Sequence, residues 1–278
     1  MQFGGTWTAE KLERVRKYLV AYATIFNKNR HYKFAYIDAF AGSGSWQVDE
    51  DIADEDATSL RAGSAQIALK VEPKFDTYIF IEKSRAKLQE LTANVDFHFP
   101  DLADRVILEA GDANEVIPRL CSRNWARHRA VMFLDPFATQ VSWNTLQAIG
   151  ATKAIDLWTL FPLAAMNRML RRDGLLHAKW EARLDYCFGA DSGWRKAFYA
   201  PNPTHDMFGG RADEKTADFD VIGQFFLTRL RLIFAAVAKA PLVLNNSKNS
   251  PLFLLCFAVG NPKKADLALR IADHILKG

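Results

Sequence analysis

The chain predicts a doubly wound α/β fold, a mostly parallel, seven-stranded sheet covered by helices on both faces. Three observations carry that expectation. Between residues 34 and 161, short runs rich in aromatic and β-branched residues alternate with stretches of helical periodicity, the rhythm of βαβ units. Several of the short runs end at an acidic residue next to a small-residue turn, as strands do when their carboxyl ends border a ligand crevice. Finally, 278 residues at 49% hydrophobic content are enough for one large core without a disulfide or metal staple.

Taken in order, an opening helix is expected from Thr8 to Asn27, with Leu12, Val15, Leu19, Tyr22, Ile25 and Phe26 near helical spacing and Thr8 as its cap. Lys11, Arg14, Arg16 and Lys17 fall on its outer face and read as solvated cations rather than a phosphate-binding patch. Phe34 to Phe40 reads as a buried strand that breaks into Ala41, Gly42, Ser43 and Gly44, with Asp38 near its carboxyl end. An acidic, polar segment follows as far as Ser59 and reads as a mobile surface loop. A helix over Gly63–Val71 stops before Pro73, a strand over Thr77–Ile81 ends at Glu82, and Ser84 caps a helix running to Asn94.

The same pattern continues with a strand over Arg105–Leu108, the turn Gly111-Asp112-Ala113 and a short helix over Glu115–Cys121. Ala130–Leu134 is a strongly apolar strand stopped by Asp135-Pro136-Phe137; a helix from Ser142 to Ile149 and a strand over Ala154–Phe161, ended by Pro162, come next. Residues 175–218 break the rhythm. There Trp180, Tyr186, Trp194, Phe198, Tyr199 and Phe208 are interleaved with Arg183, Arg195, Lys196 and Arg211. Such a mixture can stack bases and hold phosphates, although a satellite core under a polar face is the commoner outcome. A long amphipathic helix over Phe219–Ala238, strands over Pro241–Leu244 and Leu252–Val259, and a closing helix over Lys263–Leu276 complete the chain. The expected division is a core over 1–174, an inserted α-rich segment over 175–218, and a completing segment over 219–278.

Composition excludes more than it selects. A formal charge of +4 and a pI near 8.9 suit a nucleic-acid partner and an ordinary surface alike. Cys121, Cys187 and Cys256 are odd in number and far apart, so neither a disulfide framework nor a zinc spacing is present, and reduced thiols of a cytoplasmic protein are expected. No apolar run is long enough for a bilayer span, and the first residues lack a signal-peptide core; a soluble protein without membrane contact is expected.

The chemistry concentrates at four strand ends: Asp38, Glu82, Asp112 and Asp135. In a parallel sheet these converge on one edge although scores of positions separate them. A bound adenosine needs a carboxylate for its ribose hydroxyls, an acceptor for its exocyclic amine and a small-residue bend beneath the sugar; Glu82, Asp112, and Gly42 with Gly44 supply these in turn. Taken singly, each carboxylate is more readily a helix cap or a surface turn. A dinucleotide is disfavoured because the third glycine of G-x-G-x-x-G is missing, and neither a Walker loop nor a hydrolase elbow occurs.

In sequence order, Tyr36-Ile-Asp-Ala-Phe-Ala-Gly-Ser-Gly44, Gly63-Ser64, Phe80-Ile-Glu82, Gly111-Asp-Ala-Asn114, Phe133-Leu-Asp-Pro-Phe137 with Trp143, and Asp156-Leu-Trp-Thr-Leu-Phe-Pro162 leading to Arg168 form a recognisable set. With them the chain resembles the class I S-adenosylmethionine-dependent methyltransferases and, more narrowly, the three-Cys-motif partner (TcmP) family of bacteria and phages. The resemblance covers most of the chain. It implies a Rossmann-like methyltransferase fold, S-adenosylmethionine as cofactor in a pocket lined by Asp38, Ala41, Gly42, Gly44, Glu82 and Asp112, and a catalytic segment Asp135, Pro136 and Phe137 in which Asp135 orients the acceptor. It also implies a separate partner protein that carries three cysteines, which are not the cysteines of this chain. Amino-methylating nucleic-acid methyltransferases carry an acid, two prolines and an aromatic at the catalytic segment. At that segment this sequence has one proline, with Phe137 in the second proline's place and Ala138 where the aromatic would stand.

The leading expectation is therefore methyl transfer to an unidentified acceptor, with nucleic acid as one candidate held through Trp180, Arg183, Trp194, Arg195, Lys196 and Arg211. A non-catalytic module that docks the partner protein or nucleic acid is the alternative. A Mg²⁺-dependent nuclease or hydrolase built on the strand-end carboxylates is the third.

Overall fold

The computed structural model describes residues 6–28, 31–44, 63–201 and 213–277. Helix α1 (Thr6–Lys28) leads into β1 (Lys33–Asp38), followed by α2 (Ser64–Lys70), β2 (Thr77–Glu82), α3 (Arg85–His98), β3 (Val106–Ala110) and α4 (Ala113–Cys121). Next come β4 (His128–Leu134), α5 (Trp143–Ala151), β5 (Ile155–Phe161), α6 (Leu163–Met169), α7 (Ala178–Phe188) and α8 (Trp194–Phe198). The chain ends with β6 (Tyr199–Pro201), β7 (Asp213–Lys215), α9 (Phe219–Ile233), β8 (Ala236–Val237), β9 (Leu242–Asn245), β10 (Pro251–Val259) and α10 (Ala265–Lys277). The acidic segment after Gly44, Phe208 and Arg211 lie outside the described residues.

Side polar groups set most of the helix starts. Ser84 accepts from the Lys87 amide, Ser142 from Thr145, and Asp218 from Val221 at 2.9 Å, each satisfying an amide that has no partner within its own helix. Helix α1 is already under way at Thr6, so Thr8 lies inside it instead of capping it.

The main sheet has order β3-β2-β1-β4-β5-β10-β8, with β9 also paired to β10. Strands β1 to β5 are parallel, and β10 runs antiparallel to β5. The expected seven strands become eight because the outer edge is split. Ala236 and Val237 pair with Val259 and Ala258, while Leu242 to Asn245 pair further along the same side of β10, from Leu255 to Pro251. The Ala238 amide still donates to Phe257 O at 3.0 Å, so β8 and β9 are one edge strand interrupted just before Pro241, which has no N–H to give a ladder. The same edge accounts for another difference: the helix expected to reach Ala238 ends at Ile233, since the next residues take their hydrogen bonds from β10.

Strand side chains alternate between two cores, the signature of a sheet buried on both faces. Tyr36, Phe80, Phe133, Trp158 and Phe257 meet Tyr18, Leu19 and Tyr22 of α1, with Leu69, Leu91 and Ile275 from the other helices of that face. Ile37, Ile81, Met132, Leu157 and Cys256 meet α4, α5 and α9 on the opposite face. Residues of the inserted segment join this second core: Leu184, Phe188, Trp194 and Phe198 are at most 4% exposed. Strands β6 and β7 form a separate two-stranded antiparallel sheet. Among the described residues no helix is long and apolar enough to cross a membrane.

Candidate functional site

The chain leaves β1 outward through β2 and β3, then returns to the other side of β1 to build β4. The carboxyl ends of β1 and β4 therefore flank a topological switch point, where open α/β sheets keep their ligand crevice. Four acidic side chains stand along this edge in the order of their strands: Asp112 after β3, Glu82 on β2, Asp38 on β1 and Asp135 after β4. The register puts Asp38 level with Phe80 and Phe133, so Glu82 and Asp135 each stand two residues further toward the crevice.

Glu82 meets the glycine bend directly. One carboxylate oxygen accepts from the Gly42 amide at 2.9 Å and the other from the Ser84 amide at 2.8 Å, which fixes the plane of the carboxylate and leaves each oxygen a further lone pair. Gly42 and Gly44 have φ of +62 and +66, a left-handed region that L side chains rarely adopt. Nothing among the described residues lies within 4 Å of where a Cβ on Gly42 would stand, so none of them crowds the bend there. Ala41 sits below, 5% exposed, its amide held by Ile81 O at 3.1 Å. Asn94 of α3 pins the far side of the bend by donating to Ser43 O at 3.1 Å.

Asp112 caps α4. Its Oδ1 accepts from the Asn114 amide at 2.9 Å and from the Asn114 side chain at 3.0 Å, and its Oδ2 pairs with Lys83 at 3.0 Å. The Asn114 amide, foremost, and Lys83 hold this carboxyl below its ordinary pKa. The cap and the crevice position thus coexist in one residue.

On the other side of the bend, Asp38 is fully buried and accepts from the Phe40 amide at 3.3 Å and the Tyr36 hydroxyl at 3.2 Å. Burial raises its pKa to about 6 against the lowering effect of Ser64, Phe40 and Tyr36; the nearby Asp135 charge adds to the rise. Asp135 is matched by an ammonium that sequence periodicity placed in solvent: Lys11 of α1 is 5% exposed and forms an ion pair with Asp135. The reason is local geometry, because α1 lies across the face to which Asp38 and Asp135 both point, and a lysine stem can pass along apolar surface to reach the strand end. Arg14, also expected on the outer face, donates to Ile275 O of α10 at 2.7 Å, whereas Arg16 and Lys17 are solvated as expected.

The segment after β4 is shaped by Asn114, which sequence reading assigned no role of its own. Its amide nitrogen donates to Gln140 O at 2.9 Å as well as to Asp112, and its oxygen accepts from the Ser142 amide at 2.9 Å and the Thr145 hydroxyl at 2.8 Å. The Gln140 side chain in turn accepts from the Phe137 amide at 3.0 Å. Pro136 is buried, and Phe137 is 72% exposed, with the Lys87 ammonium 5.8 Å from its ring centre. Helix α7 closes the outer side: Tyr186 donates to Gln140 O at 3.2 Å and Arg183 to Thr139 O at 3.3 Å.

Of the candidates for nucleic-acid contact, Trp180 and Lys196 are exposed, and Arg183 borders the segment just described. Trp194 is not available for stacking; it is 4% exposed and its indole donates to Asp185 at 2.7 Å. Arg195 is held by Glu181 and by Gly174 O. Among the described residues no three His, Cys, Asp or Glu side chains are grouped to hold a metal ion.

No family model matches the sequence, and no curated protein is significantly similar to it. Solved structures are similar in fold. Protein LPL1258 of Legionella pneumophila, assigned to DUF519, superposes with a TM-score of 0.55 at 12% identity over 99% of this chain and 93% of its own. Trm1 of Pyrococcus horikoshii, solved with S-adenosyl-L-methionine, gives 0.47 at 14% identity over 96% of this chain and 58% of its own. A protein of Listeria monocytogenes described as a putative S-adenosylmethionine-dependent methyltransferase gives 0.40 at 10% identity over 89% and 97%. Together with the strand order, the likeness to LPL1258 shows an α/β fold with a mainly parallel central sheet.

Proposed function

We propose that the crevice binds S-adenosylmethionine and that this protein transfers its methyl group to an acceptor held beside Asp135 and Phe137, as a member of the three-Cys-motif partner family working with a partner protein. The observation that carries the reading is the Glu82–Gly42 pairing, a fixed carboxylate beside a left-handed glycine bend that no described residue crowds, at the switch point. Glu82 has the remaining lone pairs to accept from two ribose hydroxyls. Asp112 stands one strand further out, and its Lys83 partner is 78% exposed, so that pair yields at little cost to an amine donor.

S-adenosylmethionine supplies, when bound, an electrophilic methyl group on a sulfonium, for which in-line alignment counts most. The chain supplies the alignment. Asp135, fixed by Lys11, accepts a hydrogen bond from the acceptor's amine or hydroxyl, and the exposed Phe137 ring flanks a planar acceptor. Trp180, Arg183 and Lys196 favour a nucleic acid among acceptors, since rings and cations together hold bases and phosphates.

Titration calorimetry with S-adenosylhomocysteine tests this directly. The wild type binds, and Glu82→Ala weakens binding by at least about tenfold with an unchanged circular dichroism spectrum. No heat and no thermal shift at millimolar ligand would sink the proposal. A second reading, a non-catalytic docking module, draws on the ion pair that already engages Asp135 and on the single proline after it. Salt-dependent binding of single-stranded oligonucleotides by a protein that ignores S-adenosylhomocysteine would favour it.

A further inference from the structure

The opposite edge of the sheet, where the parallel strands begin, holds a second concavity that the crevice chemistry does not use. It has a volume of about 430 Å³ and lies between α1, the first residues of β4 and β5, and α10. That is within the roughly 300–1,000 Å³ usual for small-ligand sites.

Its floor is a carboxylate. Asp156 is 7% exposed and accepts from the Tyr18 hydroxyl and the Gly260 amide, both at 3.0 Å. One wall is aromatic, with Tyr22 stacked on Phe26 at 4.5 Å, while Leu267, Ala268 and Ile271 of α10 make the facing wall aliphatic. Between floor and rim stands Arg129, its guanidinium 4.1 Å from the Tyr32 ring centre. One terminal nitrogen of Arg129 donates to Trp125 O at 3.1 Å and to His128 O at 2.6 Å, while its Nε is buried with no hydrogen-bond partner among the described residues. Lys153, Lys263 and Lys264 are exposed at the rim, and among the described residues none of the four cations is in an ion pair. Four cations against a single carboxylate favour an anion at the mouth. A carboxylate at the floor is poorly suited to an alkyl tail, because its remaining lone pairs call for a donor.

We infer that this cavity binds a nucleoside monophosphate, its planar ring lying between the aromatic and aliphatic walls with an N–H turned toward Asp156, and its phosphate at Arg129 and the lysine rim. The site is separate from the methyltransferase-like crevice and does not depend on what that crevice binds.

Calorimetric titration of the full chain with the four ribonucleoside 5′-monophosphates, each repeated with saturating S-adenosylhomocysteine, tests the assignment. At least one nucleotide binds with and without the competitor. Its affinity falls by about tenfold or more in the doubly substituted Lys263→Ala, Lys264→Ala protein and in Ala268→Phe, which fills the cavity, and it is unchanged in Glu82→Ala. The lysines are exposed, so the double variant reads the rim without disturbing the core. The inference is overturned if none of the nucleotides binds at millimolar concentration, if binding survives both cavity variants, or if only Glu82→Ala abolishes it. Equal affinity for inorganic phosphate, or preference for a fatty-acid anion, overturns it too.

Discussion

A lysine ammonium that is 5% exposed has to be matched by an anion, because a buried charge without a partner costs several kcal/mol. Lys11 is matched by Asp135, and Asp135 lies close enough to Asp38 to push that carboxyl upward. The three residues therefore form one electrostatic unit at the carboxyl ends of β1 and β4, in which Lys11 holds Asp135 and the charge of Asp135 acts on Asp38. Lys11→Met leaves Asp135 facing Asp38 uncompensated. The expected loss is about 2–3 kcal/mol, less than for a fully dry pair because the Asp135 side chain keeps 24% exposure. Urea unfolding at pH 7 measures it, and adding Asp135→Asn should recover most of the loss. If the two substitutions are merely additive, the unit does not exist.

At the scale of elements, the decisive joint is between the start of α4 and the segment that follows β4. Asn114 makes it with hydrogen bonds to Gln140 O, the Ser142 amide and the Thr145 hydroxyl, while its own amide is capped by Asp112. Asn114→Ala leaves the Ser142 amide without its partner and the Gln140 carbonyl with the Tyr186 hydroxyl alone, for an expected loss of about 2 kcal/mol. It should also weaken binding of S-adenosylhomocysteine by loosening Asp112, and Asn114→Asp, which keeps the acceptor but turns a carboxylate oxygen toward Asp112 Oδ1 and Gln140 O, should lose at least as much at pH 7; unchanged stability in both variants would refute the joint. Local signals made the elements around this joint readable: the run Ala130–Leu134, the Ser142 cap and the Asp112 turn each announce themselves within a few residues. The joint itself was not readable, because Asn114 and its partners are 26 to 31 positions apart. Lys11 was misplaced for the same reason, since periodicity gives the face of a helix but not the distance to a strand end 124 positions away. The split edge strand was hidden in an apolar run that suits a helix, and only the ladder offered by β10 decides it. Glu82 and Gly42 are the informative exception. They are 40 positions apart, yet the rule that parallel strands deliver their carboxyl ends to one edge brings them together.

Across the whole molecule, two buried carboxylates make acid a stabilising condition. Asp38 lies at the crevice edge of the sheet and Asp156 at the other, and burial raises each from 3.8 to about 6, with the charge on Arg129 opposing the rise at Asp156. In the unfolded chain both release their protons near 4, so between about pH 4 and 6 the native state binds more protons than the unfolded one, and stability falls as pH rises through that window. Above pH 6 the native state carries the full cost of two buried charges, up to about 3 kcal/mol for each. Groups shifted the other way, Glu13, Asp112 and Asp173, are largely solvated, and their contribution, lost only as pH falls below the ordinary carboxylate range, is small. The urea midpoint should therefore rise on going from pH 7.5 to about 5 and fall again only in stronger acid, where positive charge accumulates. Asp156→Asn keeps an acceptor for the Gly260 amide and a donor for the Tyr18 oxygen. In that variant the rise should shrink to roughly half, with stability at pH 7.5 equal to or above that of the wild type. A wild-type midpoint that drops steadily from pH 7.5 to 5 would mean that neither carboxylate is held as described.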